Sequence, residues 1–152
     1  MCLSAKNPPF VFVSDPTVLA TPEEFLLRIA KGIETKHDLL LHYERAGNFP
    51  SYFGRNWDAL QDCLGDFFWQ KQKRIVIAHD DLPLANQEDE LRIYLEILAT
   101  AVKDWKGPRP GPFVEISSEE WPYIEHELVV AFPSAVEATV VRVLGPQERY
   151  LV

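Results

Sequence analysis

The sequence is poor in the residues that usually announce chemistry. Two cysteines, Cys2 and Cys63, in 152 residues cannot build a disulfide framework, which points to a reducing compartment. Gly32, Gly47 and Gly65 are isolated, and no Gly-rich strand-to-helix turn is present to cradle a nucleotide phosphate. No apolar run is long enough to span a bilayer, and the opening MCLSAKNPPF lacks the long apolar stretch of a signal peptide. A cytoplasmic protein with no membrane partner is therefore expected. Positive charge is also scarce, with 15 Lys and Arg against 23 Asp and Glu and a net charge of −8. Direct binding of nucleic acid needs a basic footprint, and this charge argues against it. The acidic surplus suits either solubility or a basic partner, and composition does not choose between them.

What is present is an ordinary globular balance, 47% hydrophobic and 25% charged, in a chain long enough for one domain with its own core. FVFV at 10–13 reads as a short strand. The segment 22–33, PEEFLLRIAKGI, is ambiguous: Thr21-Pro22-Glu23-Glu24 is a good helix start, yet FLLRI suits a buried strand. From Thr35 a helix is clearer, with Asp38 at the capping-box position, Leu39, Leu40, Tyr43 and Ala46 on one face, and Gly47 as the stop. RIVIA at 74–78 reads as a buried strand, and Glu88 to about Trp105 as the longest helix. FVEIS at 113–117 and ELVVAF at 127–132 are further strand candidates. Ser134 and Glu137 form a capping box for a short last helix that Gly145-Pro146 ends. Strands separated by helices predict an α/β layer with a largely parallel sheet packed by three or more helices.

One helix resists explanation by local stability. Asn56 caps it, and Trp57, Leu60, Leu64 and Phe67 form its core stripe, with Cys63 beside them as a buried thiol. Along the same helix Asp58, Asp62 and Asp66 recur every four residues. Each like-charged pair at that spacing costs about 0.2–0.5 kcal/mol. Asp58, in the first turn, gains from the helix dipole, but Asp62 and Asp66 lie beyond its reach. Arg55 is the nearest cation and precedes the cap, while Lys71, Lys73 and Arg74 form a basic cluster able to neutralise Asp66. Carboxylates rimmed by Tyr52, Phe53 and Trp57 suit recognition of a basic surface, with aromatic anchors.

The stretch YFGRNWDALQDCL, with the preceding FP at 49–50, resembles the signature of the barstar family, intracellular inhibitors of barnase-type ribonucleases. The resemblance implies a barstar-like core over 24–132, with extensions at 1–23 and 133–152, and makes FLLRI its first strand. It also implies that the acidic helix and the loop before it plug the active site of a basic extracellular-type ribonuclease or nuclease toxin. By position, Tyr52, Asn56, Trp57, Asp58, Gln61, Asp62, Asp66 and Phe67 match the contact residues, and Asp62 would enter where RNA phosphate lies. The acids would then mimic a phosphate backbone. Three positions depart from the family: Gln61 replaces a tryptophan, Asp66 a glycine, and Thr100 stands where a later helix carries an acid.

Two other readings compete. One is a barstar-like module that binds some other basic protein without inhibiting a nuclease. The other is a metal-dependent hydrolase using His79, Asp80 and Asp81, at the end of a predicted strand where open α/β sheets place ligands. Adjacent residues on an extended segment point to opposite sides, so these three converge only if the chain turns. His37, His42 and His126 show no ligand spacing, and neither a metal nor a cofactor is expected.

Overall fold

The computed structural model describes residues 8–50, 53–67, 69–106 and 125–145. Among them, strands β1 (Val11–Val13), β2 (Phe25–Ile29), β3 (Arg74–His79) and β4 (Glu127–Pro133) form one sheet in the order β1-β4-β3-β2. Every pairing in it is parallel. Helices α1 (Lys36–Ala46), α2 (Trp57–Asp66), α3 (Glu88–Lys106) and α4 (Glu137–Leu144) pack with it, and short 3-10 turns lie at Pro16–Leu19 and Ser134–Val136. The protein is thus α/β, as the alternation of strands and helices implied. The predicted strand at 113–117 lies outside the described residues. Among those described, no helix is long and apolar enough to cross a membrane.

β3 runs at the centre of the sheet, with Ile77 between Leu27 of β2 and Val130 of β4. Ile75 through His79 are buried without alternation, as expected of a parallel strand covered on both faces. The ambiguous segment resolves as a strand, and its helix-start chemistry is spent locally. The Thr21 N–H donates to Glu24 Oε1 (2.9 Å) and the Glu24 N–H to the Thr21 carbonyl (3.0 Å). These reciprocal bonds close a single turn, after which Phe25–Ile29 pairs with β3. The Ser134 capping box does not form. Ser134–Val136 winds as a 3-10 turn, α4 begins at Glu137, and no side chain caps it.

α1 starts as read: Thr35 Oγ1 accepts from the Asp38 N–H at 3.1 Å. At its other end Gly47 is buried. A Cβ there would lie 2.6 Å from the Phe49 ring and 2.8 Å from the Tyr43 carbonyl oxygen, a backbone atom that cannot swing away. Gly47→Ala is therefore expected to destabilise the protein by about 1–3 kcal/mol, the usual cost of overpacking. Urea unfolding checks this, and an unchanged midpoint would refute it.

A buried polar chain crosses the core. His79 Nδ1 lies 2.9 Å from the Ala131 carbonyl, which can only accept, so this nitrogen carries the proton. Nε2 then accepts from the Tyr94 hydroxyl (2.7 Å), which in turn accepts from Tyr43 (2.7 Å). Burial pushes the His79 imidazole down to about 4, against the opposing pull of the Ala131 bond and the Asp80 charge. A free imidazole titrates at 6.5, so the unfolded chain takes up its proton first as pH falls. Stability from the neutral ring is full above that value and drains between it and about 4, by up to about 1.4 kcal/mol per pH unit. Comparing urea unfolding of wild type and His79→Gln across this interval should show the variant losing less. Parallel losses would contradict the assignment.

Candidate partner-binding surface

Both ends of α2 are fixed. Asn56 Oδ1 accepts the Ala59 N–H at 2.7 Å, a cap worth about 1 kcal/mol over alanine. At the far end Phe67 adopts the left-handed conformation (φ 42°, ψ 38°), and its N–H donates to the Cys63 carbonyl at 2.9 Å. A phenylalanine pays for that conformation, and burial of its ring against Phe49, Trp69 and His126 outweighs the cost. Trp105 Nε1–H donates to the Leu64 carbonyl (2.9 Å), meeting one of the acceptors a helix end leaves open. The His126 imidazole bridges the Phe67 and Gln72 carbonyls at 3.1 and 2.9 Å.

The helix between these clamps has two unlike sides. Leu60, Cys63 and Leu64 are buried. Asp58, Gln61 and Asp62 are exposed on the opposite side, with Gly65 and Asp66 half-buried along its edge. The Cys63 thiol is pushed up to about 12, first by burial and then by the negative charges of Asp66 and Asp62. It is therefore a protonated, packed thiol, and the same effect registers two carboxylates bearing on one turn of helix. Arg74 is committed elsewhere, to Glu24 (2.8 Å), Glu127 (3.4 Å) and the Leu19 carbonyl (2.8 Å).

Trp57 stands at the border of the two sides, half-buried. Its Nε1–H donates to Glu90 Oε2 of α3 at 3.1 Å, its ring stacks on Tyr94, and the Lys36 ammonium sits 5.3 Å from the ring centroid. The indole is thus held as a fixed wall rather than a free anchor. Together with Asp58 and Gln61 it lines one side of a shallow groove of about 460 Å³, and Ile93, Glu96, Ile97 and Thr100 of α3 line the other. Ile93 is 38% exposed and gives the groove an apolar wall.

The structure therefore brings Trp57, Asp58, Gln61 and Asp62 to one surface, with Asp66 at its rim and Asn56 serving as the cap. Phe67 departs from the expectation: its side chain has no exposed area, so it supports the helix from below and offers a partner no surface. Tyr52 lies outside the described residues. Thr100 does lie beside α2, and Glu96, one turn earlier on the same face of α3, is an acid that reading α2 alone overlooked. The spacing Ile93, Glu96, Ile97, Thr100 marked a second face of α3, but nothing in sequence said that it would meet α2.

His79, Asp80 and Asp81 do not converge. His79 points into the core with both ring nitrogens engaged. Both carboxylate oxygens of Asp80 share the Arg28 Nε–H, at 2.9 and 3.0 Å, while Asp81 accepts the N–H of Leu82 (2.8 Å). Among the described residues no group of three acids, histidines or cysteines is arranged to hold a metal.

Comparison with known proteins gives one result: no curated protein and no solved structure matches, while the family model described as Barstar (barnase inhibitor) does. That match spans residues 24–117, more than half of the chain, and includes all of α2 and its entry loop. With its parallel sheet and its acidic, doubly clamped helix, the chain belongs to the barstar family.

Proposed function

We propose that this protein inhibits a basic ribonuclease, its own host's or one delivered as a toxin, by seating the acidic side of α2 in the nuclease's RNA-binding cleft. The observation that carries the reading is the division of α2. Every large apolar side chain faces the core or the groove wall, leaving Asp58, Gln61 and Asp62 to solvent on a helix held at both ends. A rigid row of carboxylates matches a cleft built for RNA phosphates, and pre-organisation lowers the ordering cost of association. Inhibition then needs no bond-making: the helix occupies the cleft and excludes RNA.

Asp62 stands centrally in the row and is assigned to the phosphate-binding cations. Gln61, where the family carries tryptophan, gives the groove wall an amide in place of an indole and so alters which nuclease fits. Titrating the protein into a barnase-type ribonuclease while following RNA cleavage tests the reading. The expected result is loss of cleavage that saturates near one inhibitor per enzyme. Full cleavage at micromolar inhibitor would remove this nuclease class as the target.

A further inference from the structure

Residues 48–67 contain one Lys or Arg, Arg55, and it sits directly before the cap of the acidic helix. Its backbone is left-handed (φ 53°), a conformation that glycine or asparagine meets with less strain. Backbone geometry alone therefore does not call for arginine. The side chain gives the reason: Nε donates to Glu44 Oε1 at 2.8 Å and Nη2 to Oε2 at 2.9 Å, a two-pronged bond to α1. The two groups perturb each other as partners do, Glu44 being lowered chiefly by its hydrogen bond with Arg55, and Arg55 raised chiefly by the same bond.

We infer that Glu44 is a positioning residue for partner steering: by holding the Arg55 guanidinium on α1, it keeps this cation from neutralising Asp58 or confronting a basic partner. The inference rests on the inhibitory reading above and goes beyond it, since neither residue belongs to the contact row. An arginine free to swing at the mouth of the acidic helix would oppose the field that steers a cationic nuclease. Paired in a fork with a carboxylate, it contributes almost no net charge there.

The alternative is a purely structural staple that fixes the chain's entry into α2, and a double-mutant cycle separates the two. Association with a barnase-type ribonuclease is measured by stopped flow at low and moderate salt for wild type, Glu44→Gln, Arg55→Asn and the double variant. Glu23→Gln, which removes a carboxylate from the turn before β2, controls for net charge. Glu44→Gln should associate about three- to tenfold more slowly at low salt, a deficit that shrinks as salt screens it. Arg55→Asn should associate at least as fast as wild type, and the double variant should match Arg55→Asn within about twofold. The proposal is overturned if Arg55→Asn is as slow as Glu44→Gln, if the double variant stays slow, or if Glu44→Gln equals the Glu23→Gln control. Failure of wild type itself to bind would overturn the inhibitory reading for this nuclease class, and the inference with it.

Discussion

Asp62→Ala is expected to weaken binding to the target ribonuclease by about a hundredfold while leaving the fold intact. The estimate follows from the general cost of about 2–5 kcal/mol for removing one member of a desolvated interfacial charge pair, since 1.4 kcal/mol is a factor of ten. Barnase with barstar is itself among the pairs behind that range, so the figure is taken from the family rather than deduced from this chain. The accompanying stability change has the opposite sign. Asp62 has like charges four residues away on either side, at Asp58 and Asp66. Its removal relieves two repulsions of about 0.2–0.5 kcal/mol each, so the variant should unfold at slightly higher urea. Looser binding together with a firmer fold identifies a residue kept for its partner. A variant that loses both has been read wrongly.

Phe67→Ala should show the reverse pattern. Its ring has no exposed area and packs among Phe49, Trp69 and His126 below the end of α2. Truncation is expected to cost about 3–5 kcal/mol of unfolding free energy, the range for a large aromatic removed from a packed core. That is a large share of the total stability of a domain of this size. At a temperature where the variant remains folded, its affinity for the nuclease should fall far less than that of Asp62→Ala. Urea unfolding and inhibition measured on the same samples test both halves. Strong loss of affinity with unchanged stability would return Phe67 to the contact row.

These two residues show how much was legible beforehand. Within α2 the 3.6-residue period set Trp57, Leu60, Leu64 and Phe67 in the core with Cys63 beside them; the structure buries all of these except Trp57, which stands half-buried at the border with Asp58. The family pattern set Phe67 among the contacts, whereas periodicity set it in the core, and burial follows periodicity. The Asn56 and Thr35 caps were readable because a cap is a contact between residues three apart. Ser134 used the same alphabet without capping, and Thr21 left its segment ambiguous until the family resemblance made FLLRI a strand, as the structure has it. Near Thr21 the reciprocal bonds with Glu24 close one turn and the chain then joins β3; at Ser134 the backbone winds too tightly for the box. The strand pairing that decides FLLRI comes from residues about fifty positions away, and no local rule contains it. Glu96 and Glu44 were missed for the same reason. Each matters through what α3 and α1 bring to α2, and only the packed molecule states that.

The central claim is that α2 and RNA compete for one cleft. Its most direct test is the dependence of inhibition on RNA concentration, with the ribonuclease, this protein and a soluble RNA substrate at low and moderate salt. The account predicts competitive behaviour: the apparent inhibition constant rises linearly with RNA concentration, and the intrinsic constant weakens as salt increases. Inhibition that is indifferent to RNA concentration would place the protein elsewhere on the enzyme and contradict occlusion by the acidic helix.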